Sequence, residues 1–582
     1  MPVQQPVRYH IDLKHRRQHL VTVTVVVPAD CAQNATVSLP CWTPGSYLRR
    51  DYIRHLQHIT AVDQTGTKVS LRPDGGDTWQ LPDDVDGPVS ITIELFANEP
   101  SVRTNTVNAT YALIIPAATL LNVSTATERE HHVTLHPTEP THSVYSLLPA
   151  HPSKPDTFVA ADYHHLIDGA FSVGQHTVLE LDVDQVPHTF VWAGDASRFD
   201  ASVVSDTLTK VAHACAGVFD TPLQTDTYTL LTITGPSGSG GLEHRDGVVL
   251  HVPENTFEEP DGIARFQSLV AHEYLHTWNV KRLIPKDLIR LRYDTVVRTT
   301  SLWFAEGFTA YYDGLLSVRT GLWEPDRLLA RFGRVYTELA RTPGVTRQSL
   351  CDASWRAPER QYRRDENAPN AMTEYYAHGS LVALELDALL RDDNPDGDGL
   401  DTLMRLLWHR YRHTGYTDDD VFAAVEEIAT DTVARRFASR VTEPGLADAS
   451  EFADALSALG LTLNTNVTGE PWLGVQLGSR AVTVGVGLAA SLRDGPAWLA
   501  GLTGNDTILA LDDTVVSLTT FADVLARYQS GDTLIARVLR TNHIERMALT
   551  VAPSPATFTV TTSTDATNRA LRAYRRWLHQ NP

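Results

Sequence analysis

Ala271-His-Glu-Tyr-Leu-His-Thr-Trp-Asn279 is the stretch on which the reading of this chain turns. On a helix, residues four apart stand one above the other on the same face. His272 and His276 can therefore point two imidazoles at one ion. Glu273 then projects beside that ion, where a carboxylate can take a proton from a coordinated water. Zinc lowers the pKa of such a water to about 7. Taken alone, H-E-x-x-H also occurs by chance on ordinary helices.

A second stretch, Leu302-Trp-Phe-Ala-Glu-Gly-Phe-Thr-Ala-Tyr-Tyr312, shifts the balance. It has helical spacing and sets one acid, Glu306, in apolar surroundings. Burying a bare carboxylate is costly, so such a residue is paired, hydrogen-bonded or bound to a metal. As a third ligand, Glu306 completes a set of two imidazoles and one carboxylate with one position open. That donor set, free of thiolates, suits one zinc per chain. Asp313 follows seven residues later on nearly the same helix face. It either orients a ligand histidine from behind or is a solvated helix residue.

Upstream lies Gly238-Ser-Gly-Gly-Leu-Glu-His244, read as a glycine-rich loop after a strand at 227–234. Glycine lets a backbone run close to a ligand, which makes Gly240 and Gly241 candidate substrate contacts. Glu243 offers a negative charge inside the cleft. The plainer alternative is a flexible surface loop with an incidental acid.

The chain has 582 residues, too many for one hydrophobic core, which stops growing at roughly 250–300 residues. Hydrophobic residues make up 42% and charged residues 20%, as in ordinary globular proteins. With a net charge of -21 and no Lys/Arg run, the chain lacks the basic stripe a nucleic-acid binder needs. There is no apolar run of 18 residues, so no membrane span is expected. The N-terminal residues show no secretory pattern. Cys31, Cys41, Cys215 and Cys351 are scattered and form no C-x-x-C pair. The expectation is a cytoplasmic protein with reduced thiols.

The architecture expected is multidomain α+β. Residues 1–194 read as an all-β domain: His19–Val27 is a β-branched run and Val89–Leu95 alternates apolar with polar. Residues 195–465 change to helical texture, with helices expected around 262–279, 300–317, 372–391 and 402–411. Strands return over 466–556, and 557–582 reads as a polar tail with a short helix near 566–579.

Three motifs together, His272-Glu-Tyr-Leu-His-Thr-Trp-Asn-Val-Lys-Arg282, Trp303-x-x-Glu306-Gly and Gly240-Gly-Leu-Glu-His244, resemble the glycyl aminopeptidase family of PDZ-containing zinc metallopeptidases. That family is a gluzincin branch related in its catalytic domain to aminopeptidase N and leukotriene hydrolase. Leu39-Pro-Cys-Trp-Thr-Pro-Gly-Ser-Tyr47 is similar to the family's N-terminal Pro-x-Trp-x-Pro-Gly-Ser-Tyr stretch. The resemblance runs along nearly the whole chain and implies an N-terminal β domain, a thermolysin-like α/β catalytic domain with a helical lobe, and a C-terminal PDZ domain. By the same likeness Glu243 holds the substrate's α-amine, although Leu242 and His244 stand where aminopeptidase N has Met and Asn. Tyr376-Ala-His-Gly379 resembles the stretch whose tyrosine stabilises the oxyanion. Here His378 replaces the usual lysine, and Tyr375 is the alternative by one residue. Lys281 and Arg282 either line the cleft or form a solvated turn. Trp472-Leu-Gly-Val475 looks like the carboxylate-binding loop and first strand of a protease-type PDZ domain, and Gly495-Pro-Ala-Trp-Leu-Ala-Gly-Leu-Thr-Gly-Asn-Asp506 resembles the Pro-Ala-x-x-Ala-Gly-Leu-x-x-Gly-Asp stretch of such domains.

The leading expectation is a zinc aminopeptidase acting on peptides and favouring N-terminal Gly or Ala. Glu273 would serve as base and Tyr376 as oxyanion donor, with a peptide C-terminus or strand as a further partner of the PDZ domain. The rivals are a zinc endopeptidase with PDZ-recruited substrates and a non-catalytic peptide-binding scaffold, against which the intact Glu273 argues.

Overall fold

The alternating residues of Leu20–Val27 settle how the chain begins. Val21, Val23, Val25 and Val27 are all fully buried while their neighbours are half exposed, the period-2 pattern of a strand covered on one face. The computed structural model describes residues 4–289, 291–478 and 482–579. It divides into two compact units.

The first unit comprises Met1–Arg298, Tyr312–Leu322 and Leu407–Tyr416. Its N-terminal part is a seven-stranded sheet built around Val7–Asp12, Leu20–Val27 and Val89–Phe96, with two four-stranded sheets beside it. A five-stranded sheet follows, in the order Thr177–Val183, Val186–Ala193, Tyr228–Gly235, Gly247–Pro253 and Gly240–His244. Its three central strands run parallel. One face of this sheet, through Val191, Ile233, Leu242 and Val249, joins the core of the N-terminal part. Helices Ala201–Phe219 and Pro260–Leu275 belong to the same unit.

Two expectations change here. The boundary at 194/195 cuts through the five-stranded sheet, because Val186–Ala193 pairs with Tyr228–Gly235. Alternating strands look alike whichever sheet they join, so pattern alone placed them in the β domain. The supposed glycine-rich loop is largely a strand as well. Gly240–His244 runs antiparallel to Gly247–Pro253 at the edge of the sheet. Gly241 serves close packing rather than looseness.

The second unit comprises Thr299–Tyr311, Trp323–Leu406 and Thr417–Pro582. Its helices include Pro325–Ala340 and Tyr375–Asp393. The C-terminal region is β-rich, with strands Val475–Leu477, Val486–Ser491, Thr507–Leu511, Thr533–Arg540 and His543–Thr550 around their own apolar core. The last residues are no loose tail. Thr557–Thr562 pairs with Leu461–Asn466, and helix Asn568–Trp577 buries Trp577 completely. Trp577 Nε1 donates to Tyr311 Oη at 2.7 Å, and Tyr311 Oη donates to Asp387 Oδ2 at 2.5 Å.

Candidate active site

Pro260 opens the helix that carries both histidines, in the first-turn position where its missing N–H costs nothing. Phe266 stacks edge-on against Phe190 and Phe257, and Tyr274 Oη meets His188 Nε2 at 2.8 Å. These contacts fix the helix's rotation and so the direction of His272 and His276, whose rings lie 4.7 Å apart and nearly perpendicular.

Each imidazole is held from behind. His276 Nδ1 donates to the Asn279 carbonyl oxygen at 2.6 Å. His272 Nδ1 donates to Asp313 Oδ2 at 3.2 Å, while Ser268 Oγ donates to Asp313 Oδ1 at 2.9 Å. With both protons on Nδ1, the lone pair of each ring sits on Nε2, the tautomer a metal requires. Asp313 is buried, which decides between the two roles considered for it.

Glu306 is buried in a π-helical turn, Trp303–Phe308, that runs into helix Thr309–Arg319. Such turns recur at functional sites because they re-aim one side chain. Gly307 lies directly against Gly379 of helix Tyr375–Asp393, where a Cβ on Gly307 would stand 2.7 Å from Gly379 Cα. That contact sets the tyrosine turn beside Glu306. Burial, and next the Glu306 charge, hold the Tyr376 hydroxyl protonated well above the usual tyrosine range. Glu374 caps the helix by accepting from Tyr376 N and Ala377 N. Tyr375 is fully buried. His378 is buried and bonded to Thr373 Oγ1 at 3.0 Å. Burial lowers its pKa to about 4, so it stays neutral.

Gly241 packs against Glu273 so closely that a Cβ would lie 2.3 Å from the Glu273 Cδ. Any other residue there would displace the acid. Gly240 begins the same edge strand, its missing Cβ facing open space. Glu243 is buried, and its Oε1 has no hydrogen-bond partner among the described residues.

Among the described residues, two groups have ligand atoms close enough to share an ion, in each case within 4.8 Å of one another: His272, His276 and Glu306, and Glu243, Glu273 and His276. The first offers two imidazole lone pairs and a carboxylate, the donors zinc takes in catalytic sites. Donor types, tautomers and spacing all fit that ion.

Lys281 lines a small cavity beside Glu243, as one of the two alternatives had it, whereas Arg282 is buried. Lys281 Nζ pairs with Asp168 Oδ1 at 2.6 Å. Arg282 is buried on the carbonyls of Arg245, Thr277 and Gln224 and on Asp246. Sequence reasoning missed Asp168, Arg103 and Tyr362. Arg103 Nη2 donates to the Gly241 carbonyl. Tyr362 Oη lies 3.1 Å from Tyr375 Oη and 3.3 Å from Tyr376 Oη. None of the three sits in a local pattern, and no signal in the sequence pointed to them.

Residues 8–175 match the peptidase M61 N-terminal domain, and residues 265–382 match the M61 glycyl aminopeptidase family. An aminopeptidase N family protein from Idiomarina loihiensis is similar in structure, with a TM-score of 0.90 at 26% identity, covering 99% of this chain and 100% of that one. An M1 zinc metallopeptidase from Deinococcus radiodurans aligns with a TM-score of 0.47 at 12% identity, over 76% of this chain and 94% of that one. No curated protein matches the chain.

Proposed function

We propose that this chain is a zinc-dependent aminopeptidase that hydrolyses the first peptide bond of peptides with a small N-terminal residue, Gly or Ala. The observation that carries the reading is Glu243. A buried carboxylate oxygen without a partner, beside Glu273 and His276, calls for a cation from outside. The α-ammonium of a peptide is that cation, and pairing with it sets cleavage at the first bond.

His272, His276 and Glu306 hold one zinc per chain. When bound, zinc supplies Lewis-acid polarisation of the scissile carbonyl and a water acidic enough to attack at neutral pH. Glu273 takes the proton from the attacking water and returns it to the leaving amine. Tyr376, kept protonated by its surroundings, donates to the oxyanion. Tyr362 holds the neighbouring tyrosines in line. Gly241 gives Glu273 its room.

A cavity of about 80 Å³ beside Glu243, walled by Trp42, Pro44, Ile284 and Leu288, supports the preference for a small first residue. The β-rich C-terminal region supports a PDZ reading: Val475–Leu477 lies at a sheet edge, where a peptide strand can add. All four cysteines are free, in keeping with a reducing, cytoplasmic setting. Among the described residues, no helix is long and apolar enough to cross a membrane.

The deciding experiment compares free and N-acetylated alanyl amides. The free substrate should be cleaved at least a hundredfold faster. Equal rates would sink the aminopeptidase reading in favour of an endopeptidase.

A further inference from the structure

Arg103 belongs to none of the sequence motifs, yet its side chain reaches the edge strand of the catalytic sheet. Its Nη2 donates to the Gly241 carbonyl oxygen at 3.0 Å. Its own backbone is held on both sides: Tyr52 Oη donates to the Arg103 carbonyl at 2.8 Å, and Arg103 N donates to Ser101 Oγ at 3.2 Å. The Arg103 Nε is buried and has no hydrogen-bond partner among the described residues. A buried guanidinium N–H without an acceptor is expensive to keep.

The strand shows which part of a ligand would meet this group. In an antiparallel ladder, successive residues turn their N–H and C=O alternately to the two sides. The Gly241 carbonyl faces Arg103, so Gly241 and Glu243 present their backbone groups outward, away from Gly247–Pro253. An open edge offers an extended peptide both donors and acceptors. With the guanidinium laid over it, the Gly241 carbonyl is already engaged by a cation. What remains at that position is N–H donors and a positive charge, which suits an anion.

Glu243 and Gly241 lie two residues apart, roughly 7 Å along a strand. A dipeptide in extended form spans about the same distance from amine to carboxylate. We propose that Arg103 binds the free α-carboxylate of a dipeptide whose amine is held at Glu243, making dipeptides the preferred substrates. This rests on the amine site proposed above.

Glycyl-alanine and glycyl-alaninamide differ only at that carboxylate, and no bond to it changes in hydrolysis. The zinc-loaded enzyme should process the acid about tenfold or more efficiently than the amide, chiefly through a lower KM. Arg103→Met, checked for zinc content and melting temperature, should lose that ratio, and Arg103→Lys should keep part of it. Equal efficiency on acid and amide by the unaltered enzyme overturns the proposal whatever the variants do. So does an Arg103→Met enzyme with the original ratio. Rapid cleavage of N-acetyl-glycyl-alanine would instead overturn the amine assignment at Glu243.

Discussion

Asp313 shows how much one residue behind a ligand can matter. It accepts from His272 Nδ1 and from Ser268 Oγ, and so fixes the ring that would hold zinc. Asp313→Asn should weaken zinc binding about 10–100-fold, because the amide can present its N–H₂ to the ring and reverse the tautomer. Competition with a chelator of known affinity measures this, and unchanged affinity would remove Asp313 from the site. Glu273→Gln should leave zinc bound while turnover falls by roughly 10²–10⁴, since the amide keeps the shape and cannot take a proton. Tyr376→Phe should lower kcat by about 10²–10³ with KM little changed; that profile in Tyr375→Phe instead would move the oxyanion role by one residue. The candidate ligand residues stood out because i,i+4 spacing and a lone acid in an apolar helix are local signals. Arg103 was not, because it meets Gly241 from 138 positions away.

At the scale of elements, the structure turns on close backbone contacts that composition alone does not disclose. Gly307 and Gly379 each belong to a recognisable motif, but only the fold shows that they touch. A Cβ on Gly379 would stand 2.7 Å from the Trp303 carbonyl oxygen and 2.9 Å from Gly307 Cα. Gly379→Ala should therefore force the two helices apart, costing about 1–3 kcal/mol of stability and lowering kcat more than KM. A melting curve and a kinetic profile matching the unaltered enzyme would show that the contact can relax without harm. The helices themselves were well placed from periodicity: the stretches expected near 262–279 and 372–391 form Pro260–Leu275 and Tyr375–Asp393. The strand Gly240–His244 was misread because two glycines normally signal a loop. Here they admit Glu273 and an open edge.

For the whole molecule, the C-terminal residues and the buried histidines set the limits of stability. Removing 470–582 looks harmless from the sequence, as no ligand lies there, yet Trp577 is fully buried and bonded to Tyr311. Trp577→Ala should cost about 3–5 kcal/mol, and the truncated chain should fail to fold stably. Acid has a more distributed effect. Burial lowers His131, His176, His244 and His378 to about 4 each. In each ring one nitrogen is buried without a hydrogen-bond partner among the described residues, so a second proton would find no acceptor. The folded pKa values lie below the unfolded value of about 6.5, so between pH 6.5 and 4 the unfolded chain binds protons that the folded chain refuses. Stability is then fully present above pH 6.5 and falls as pH drops toward 4, with as many as four protons taken up on unfolding. Urea midpoints measured across that window should fall steeply, and replacing His131 with Gln should flatten the fall. His131 is the right one to replace because it lies in the N-terminal core beside Tyr9 and Tyr163, remote in sequence from the zinc ligands. A midpoint that stays level from pH 6.5 to 4 would mean that these rings take up protons while still buried.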